Sequence, residues 1–168
     1  MVACFVNSLV RMTANSNIRL GIVGCGRVTE TRHLPALRSL KGAEVVALAD
    51  ISVDRLNKVA DLFNIKSRHV NYQRLLEDSS IHAVAVCAPA HSHVQVALNV
   101  VSAGKHLFIE KPLGLRLHDA DLLIDRVKNS HLKAMVGFNL RRHRLIQQAR
   151  QILQKSDFGK LQMIRSVL

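Results

Sequence analysis

The sequence predicts an α/β protein with a doubly wound parallel sheet, and three observations carry this prediction. Short aliphatic runs of the kind that form buried strands alternate with segments whose apolar residues recur at helical spacing. The first aliphatic run leads into a glycine-containing turn, Gly24-Cys25-Gly26. Aromatic residues make up only 4% of a chain that is 48% hydrophobic, so the core must be aliphatic, as in parallel sheets covered by helices on both faces.

The first half of the chain divides into three strands and three helices. In order, we predict a strand at Ile18–Val23, a helix at Val28–Leu40, a strand at Glu44–Ala49, a helix on the stripe Val53, Leu56, Ala60 and Phe63, a weak strand at Arg68–Val70 and a short helix at Tyr72–Asp78. Pro35 falls inside the first of these helices, and a proline there kinks the helix or shifts its start because it has no N–H group to donate.

The second half repeats the same alternation. We predict a strand at Ala83–Cys87 stopped by Pro89, a helix on Val94, Ala97, Leu98 and Val101 that ends at Gly104, a strand at His106–Ile109, a helix on Leu117, Ala120, Ile124 and Val127, and a strand at Ala134–Phe138. This strand–helix–strand rhythm implies parallel strands joined by right-handed crossovers.

Both ends of the chain differ from this middle part, which we assign as one α/β domain at 17–139. Residues 1–16 have no basic residue ahead of their apolar stretch and make a weak secretory signal, so we expect a disordered leader, with Met12 as an alternative start. Residues 140–168 carry a helical stripe from Leu145 to Leu153 and an apparent strand at Leu161–Leu168. That strand needs neighbours for its backbone groups, so we expect the chain to be a fragment or to be paired to a partner.

The formal charge of +12 raises the question of a nucleic-acid partner. Seven basic residues and one acidic residue fall in 141–168, but no platform of aromatic side chains accompanies them, as single-strand binding requires. We therefore predict no nucleic-acid partner. No apolar run reaches the roughly 18 residues of a membrane span, and three cysteines without paired or metal-ligand spacing suit a reducing, cytoplasmic compartment.

The histidines have ordinary interpretations. His33 and His69 are expected at the surface or as internally bonded core residues, and His91 and His93 bracket the start of a helix as neighbours of its cap. None of them has partners at metal-ligand spacing, so we predict no metal site.

The glycine turn has the placement of a dinucleotide-binding site, after a strand and before a helix. The first glycine, Gly24, permits a tight turn, and the second, Gly26, lets the backbone approach a pyrophosphate at the positive end of the helix. The third small position is Thr29, which we expect to loosen the packing of helix against strand. A glycine pair of this kind also occurs in turns that bind nothing.

Asp50 ends the second strand, 24 residues after Gly26. A carboxylate at this place accepts hydrogen bonds from the hydroxyl groups of the adenosine ribose and repels a 2′-phosphate, which favours NAD over NADP. Arg55 keeps NADP as an alternative. The competing interpretation of Asp50 is a helix cap, a role for which Ser52 and Asp54 also compete.

The tripeptide Glu110-Lys111-Pro112 follows the strand at His106–Ile109 and so lies at the carboxyl edge of the predicted sheet, where ligands of open α/β sheets bind. Lys111 could donate to a substrate hydroxyl and stabilise the alkoxide that precedes hydride transfer. Without this context the tripeptide is typical of a solvated strand exit.

The segments GIVGCGR, ALAD, AVCAPAHSH, AGKHLFIEKPLG and MVGFNLRR, in this order, resemble the Gfo/Idh/MocA oxidoreductases, the group of glucose–fructose oxidoreductase and inositol dehydrogenase. The resemblance covers about residues 18–168. It implies that residues 17–139 are a dinucleotide-binding Rossmann domain and that residues 140–168 are the first helix and strand of a truncated second α/β domain. That second domain supplies most of the substrate pocket, and the full-length form assembles as a homo-oligomer through its sheet.

The resemblance also implies a role for each residue that matches a family motif. It assigns Gly24, Gly26 and Arg27 to the pyrophosphate, Asp50 to the ribose, Ala88, Pro89 and His93 to the nicotinamide side, Glu110 and Lys111 to cofactor binding, Lys111 to catalysis, and Lys111 with Arg141 to the substrate. At 88–90 the chain has Ala-Pro-Ala where the family usually has Thr-Pro-Asn.

These features predict an NAD(P)-dependent oxidoreductase that moves a hydride to or from a sugar, cyclitol or related small molecule. The alternative is a non-catalytic NAD-binding module, such as a redox-sensing regulator with the same fold. Because the second domain is missing, we expect the chain to be inactive alone.

Overall fold

The computed structural model describes residues 2–10, 17–155 and 159–165. The chain divides into two compact units, Met1–Gly137 and Phe138–Leu168. The described strands all lie in the first unit and form one parallel sheet in the order β3-β2-β1-β4-β5-β6. This order, in which the chain reverses direction of travel after β3, is that of a Rossmann fold and confirms the predicted fold class.

The bounds of the six strands lie close to those predicted, whereas the helix predicted at Val28–Leu40 is divided into a π-helical segment and a short α-helix. The strands are β1 Ile18–Val23, β2 Ala43–Ala49, β3 Ser67–His69, β4 Ala83–Val86, β5 His106–Ile109 and β6 Ala134–Val136. The helices of the first unit are α1 Val2–Val10, α2 Leu34–Arg38, α3 Val53–Phe63, α4 Tyr72–Glu77, α5 His93–Ser102 and α6 Leu117–Lys128. In the second unit a 3-10 turn at Asn139–Arg142 precedes α7 Arg144–Leu153.

Two apolar clusters cover the two faces of the sheet. In β5, Phe108 belongs to the cluster that contains the buried face of α1, whereas Leu107 and Ile109 belong to the cluster that contains buried residues of α5 and α6. Because both faces are buried, the strands are continuous aliphatic runs rather than alternating ones.

The expectation of a disordered leader is wrong for residues 2–10, which form α1. Val2, Phe5, Val6 and Leu9 share one face of this helix and are buried in the first cluster. The ring of Phe5 lies 6.1 Å from that of Phe108. The apolar stretch therefore folds as an amphipathic helix, because the sheet offers its face a surface to cover.

Pro35 shifts the start of its helix, as predicted. The chain turns first through a π-helical segment, Thr29–His33, in which the N–H of Leu34 donates to the carbonyl of Thr29. The α-helix α2 then begins at Leu34, so Pro35 stands in its first turn, where no N–H group is required.

The predicted strand at Leu161–Leu168 is wrong over residues 161–165, which have no regular secondary structure; residues 166–168 lie outside the described part. A strand is stabilised by the backbone hydrogen bonds of its neighbours, and the parallel sheet contains none of these residues. The apolar alternation alone does not make a strand without a paired backbone.

Candidate functional site

The carboxyl ends of β1, β2, β4 and β5 lie side by side at one edge of the sheet. The residues that follow these strands directly are Gly24, Asp50, Cys87 and Glu110. The strand order reverses between β1 and β4, and ligands of open α/β sheets bind in the crevice outside such a reversal. The parallel pairing therefore brings together residues that are up to 86 positions apart in the sequence.

Gly24 is required by the geometry of the turn after β1. Its φ angle is +100°, a region that only glycine adopts without strain. A Cβ atom at this position would lie 2.5 Å from the carbonyl oxygen of Cys87, and the N–H of Gly24 donates to the carbonyl of Ala49 at 2.7 Å. This confirms the tight turn predicted for the first glycine.

Gly26 and Arg27 lie where the chain enters the helix. A Cβ on Gly26 would meet nothing within 4 Å, so protein packing does not explain this glycine, whereas a ligand approaching the backbone would. The N–H of Glu30 donates to the carbonyl of Gly26, so the helix starts here and its first N–H groups face outward without intrahelical partners. Arg27 is exposed beside them.

Thr29 tightens the turn, so the expectation that it loosens the packing is wrong. The residue is fully buried, and its hydroxyl donates to the carbonyl of Gly24 at 2.6 Å. A third glycine could not make this bond. The hydroxyl thus ties the start of the helix to the residue with the unusual φ angle.

Asp50 is 8% exposed and is held by the backbone around it. One carboxylate oxygen accepts from the N–H of Cys25 at 2.7 Å and the other from the N–H of Ser52 at 2.8 Å, while an Arg55 nitrogen lies 3.8 Å away. The cap of α3 is Ser52, whose hydroxyl accepts from the N–H of Arg55. Asp50 is therefore not consumed as the helix cap.

An open cavity of about 580 Å3 lies along this edge. Its lining includes Gly24, Asp50, Arg55, Ala88, Pro89 and His91. The volume falls within the roughly 300–1,000 Å3 of small-molecule sites, and apolar walls with a few polar groups are typical of them. The cavity, the helix terminus and the buried carboxylate together fit a dinucleotide.

The two cysteines of the turn and the neighbouring loop have unreactive thiols. Burial, and to a smaller extent the Asp50 carboxylate, raises the pKa of Cys25 to about 12. Burial likewise raises the pKa of Cys87 to about 12. Since the thiolate is the reactive form, neither residue is suited to nucleophilic or redox chemistry near neutral pH.

His93 was assigned to the nicotinamide side, but its ring is 1% exposed and faces protein on both sides. Nδ1 lies 2.7 Å from the carbonyl oxygen of Pro112, and Nε2 lies 2.7 Å from that of Ala88. Both ring nitrogens are thus occupied by backbone, and neither is left for a ligand. His93 joins the loop after β4 to the segment after β5.

Glu110 is also turned inward, with 9% of its surface exposed. One carboxylate oxygen lies 2.9 Å from Nε2 of His33, and the other accepts from the N–H of Lys111 at 3.1 Å. Burial raises the pKa of Glu110, but these bonds and the nearby charges of His33 and Lys111 outweigh it and hold the pKa below its ordinary value. A Cβ on Gly137 would lie 2.9 Å from this carboxylate, so that glycine provides its space.

Lys111 is exposed and follows Glu110 at the end of β5, and its peptide bond to Pro112 is cis. The other lysine of the same motif, Lys105, behaves differently. It is buried at the opposite end of β5, and its Nζ donates to the carbonyls of Asp78 and Ile81 at 2.7 and 2.9 Å. Lys105 is therefore a structural residue, and Lys111 is the lysine that faces the ligand edge.

Arg141 lies in the second unit, on the 3-10 turn Asn139–Arg142, and its carbonyl accepts from the side chain of Gln147. Its assignment to the substrate stays a prediction. The bond between His33 and Glu110 was not predicted from the sequence, although the interpretation of His33 as an internally bonded core residue is confirmed. Glu110 directly follows a buried strand, and this position could have indicated that its charge needs a partner.

Other classes of site find no support in the residues that the structure describes. Among them, no three His, Cys, Asp or Glu side chains are grouped so as to hold a metal ion. None of their helices combines the length and apolar character needed to cross a bilayer.

The sheet order, the glycine turn and the carboxylate at the end of β2 define a dinucleotide-binding Rossmann domain. Residues 18–138 match the oxidoreductase family with an NAD-binding Rossmann fold, and the chain belongs to this Gfo/Idh/MocA family. This confirms the resemblance found in the sequence.

Individual relatives agree with this assignment. The chain is 30% identical over 148 residues to myo-inositol 2-dehydrogenase of Thermotoga maritima, which covers 88% of this chain and 44% of that protein. It is 25% identical over 161 residues to levoglucosan dehydrogenase of Pseudarthrobacter phenanthrenivorans, covering 89% of this chain and 40% of that protein. The chain thus spans less than half the length of these relatives.

A solved structure shares both sequence and fold. The 3-ketoreductase KijD10 of Actinomadura kijaniata, in complex with NADP, superposes with a TM-score of 0.76 at 32% identity, over 83% of this chain and 44% of that one.

Proposed function

We propose that the chain is the cofactor-binding part of an NAD(P)-dependent oxidoreductase that acts on a sugar, a cyclitol or a related hydroxylated small molecule. The proposal rests on the placement of these groups at one edge of the sheet. Asp50 and Gly24 line the same cavity, and Lys111 follows β5, which lies two strands away from β1. Relatives that act on inositol and levoglucosan support the substrate class.

Each group at the strand ends has a task in this proposal. The N–H groups at the start of the helix and Arg27 bind the pyrophosphate, and Asp50 accepts from the ribose. The cofactor supplies the hydride acceptor or donor when it is bound. Lys111 holds a proton next to the substrate oxygen and stabilises the charge that develops there. Arg141 binds the substrate.

Asp50 favours NAD, because its charge opposes a 2′-phosphate. Arg55 lies 3.8 Å from that carboxylate and offsets part of the repulsion, so NADP also fits. The complex of KijD10 with NADP supports this second possibility.

The test is the variant Lys111→Ala in the whole protein, measured for NADH affinity and for turnover with inositols and sugars. We expect turnover to fall by about 10²–10⁴-fold, the range for a positioned proton donor, with NADH affinity largely kept. Lys128→Ala is the matched control, because Lys128 is exposed on α6 and pairs with the exposed Asp125 of the same helix. Full turnover in Lys111→Ala, or no NADH binding by the unaltered protein, would refute the proposal.

The same experiment distinguishes the proposed enzyme from the alternative, a non-catalytic NAD-binding module. A redox-sensing module would bind NADH through the same cavity but turn over none of these substrates, and Lys111→Ala would change nothing. The glycine turn and Asp50 serve both functions equally, whereas Lys111 serves only the enzyme.

A further inference from the structure

We infer that His33 and His93 are positioning residues, which hold Lys111 in place relative to the cofactor cavity from its two sides. The inference rests on the proposed function. Both residues are at least 96% buried, and each bonds a residue that neighbours Lys111 in the chain.

His33 acts through Glu110. It belongs to the π-helical segment that follows the glycine turn, and its Nε2 lies 2.9 Å from the Glu110 carboxylate. The other oxygen of that carboxylate accepts from the N–H of Lys111. The edge of the Phe108 ring packs against His33, which fixes the orientation of the imidazole. A continuous chain of contacts thus runs from the pyrophosphate-binding helix to the backbone of Lys111.

His93 acts through Pro112. Its ring stands between the carbonyl of Pro112 and that of Ala88, and Ala88 lines the cofactor cavity. Each ring nitrogen of His93 lies 2.7 Å from one of these two carbonyl oxygens. The ring is a rigid spacer between one wall of the cavity and the residue after Lys111.

These two connections have a common consequence. Lys111 itself is exposed and is the second residue after β5, so the strand alone does not fix it. His33 and His93 tie the residues on both sides of it to the two segments that border the cofactor. A purely structural role would affect stability alone, whereas positioning residues also link cofactor binding to the surroundings of the lysine.

The test compares His33→Leu and His93→Leu with the unaltered protein and with His106→Leu. His106 is the matched control, because it lies at the opposite end of β5, where its ring accepts from the N–H of Lys133. Acetic anhydride labels the Lys111 amine with and without saturating NADH, and mass spectrometry gives the rate at that lysine.

We expect NADH to slow the labelling of Lys111 in the unaltered protein and in His106→Leu. In His33→Leu and His93→Leu, most of this protection should be lost. A displacement of about 1 Å in a reacting group can cost roughly 10²-fold in rate, so turnover should fall by 10-fold or more while NADH affinity changes far less. His33→Gln should restore protection, because its amide can still donate to Glu110.

Equal protection in all variants would overturn the inference. A second measurement, hydrogen exchange of the Lys111 amide without cofactor, covers the case in which NADH does not bind, and the shorter amides of His33→Asn and His93→Asn cover the case in which a leucine variant folds poorly. Exchange should be no more than a few fold faster in His33→Gln than in the unaltered protein, and much faster in His33→Asn and His93→Asn. Unchanged exchange in these last two variants would also overturn the inference. Failure of the proposed function appears differently, as absent NADH binding or as full turnover of Lys111→Ala.

Discussion

Replacing Asp50 by alanine tests the site at its most informative residue. The variant removes a buried carboxylate that accepts from the N–H groups of Cys25 and Ser52 and lies 3.8 Å from Arg55. Two effects follow from this change. The folded protein loses two charge-assisted hydrogen bonds, and the cavity loses the negative charge that opposes a 2′-phosphate.

The magnitudes come from these contacts. Leaving a buried donor without a partner costs about 1–3 kcal/mol, and water can reach the N–H of half-buried Ser52 through the cavity. We therefore expect the free energy of unfolding to fall by about 2–4 kcal/mol. Two unit charges 4 Å apart interact by about 1 kcal/mol in water and about 4 kcal/mol at an effective dielectric constant of 20.

Arg55 offsets part of the repulsion between the Asp50 carboxylate and a 2′-phosphate. We therefore expect the unaltered protein to prefer NADH over NADPH by about 10- to 100-fold, which corresponds to ~1.4–2.7 kcal/mol. In Asp50→Ala, affinity for NADH should fall and the preference should largely disappear.

The assay is calorimetric titration of NADH and NADPH, with urea unfolding of the same samples. Asp54→Ala is the matched control, because this exposed carboxylate lies in the first turn of α3, where its charge contributes only about 0.3–1 kcal/mol. If Asp50→Ala and Asp54→Ala kept the same NADH-to-NADPH affinity ratio as the unaltered protein, the assignment of Asp50 to the adenosine ribose would be refuted.

Three further predictions follow from the fold and the site. Gly24→Ala should lower the free energy of unfolding by at least about 1–3 kcal/mol, because the φ angle of Gly24 is +100° and a Cβ there would clash with Cys87. Gly26→Ala should keep the stability of the unaltered protein and lose NADH affinity. Equal urea midpoints for the two variants would contradict the different roles of these glycines. Phe5→Ala should cost about 3–5 kcal/mol in urea unfolding, and a neutral result would show that α1 is not part of the core. The folded-state pKa of Glu110 lies below its unfolded value near 4.5, so its contribution to stability is present above that pH and is lost as the pH falls through the lowered value. Glu110→Gln should therefore flatten the acid side of the curve of unfolding free energy against pH. An unchanged curve would show that Glu110 does not cause the loss of stability in acid.

Much of the fold was predictable because its signals are local. The strands β1 and β5 have the predicted bounds, and the bounds of the others differ by one or two residues. The positions of the glycine turn and Asp50 at the strand ends were predictable because a strand–turn–helix unit can be recognised within a short stretch of sequence. The apolar stretch in 2–10 was visible too, but whether such a stretch folds depends on a surface to cover, which lies elsewhere in the chain.

The sequence by itself determined the order of strands and helices, the glycine turn and the family. Only the tertiary structure decided that Glu110 bonds His33, 77 residues away, that His93 spans Ala88 and Pro112, and that Thr29 fastens the turn. The reason is physical: periodicity and turn chemistry depend on neighbours in the chain, whereas a buried polar group takes its partner from whichever segment the parallel sheet places beside it.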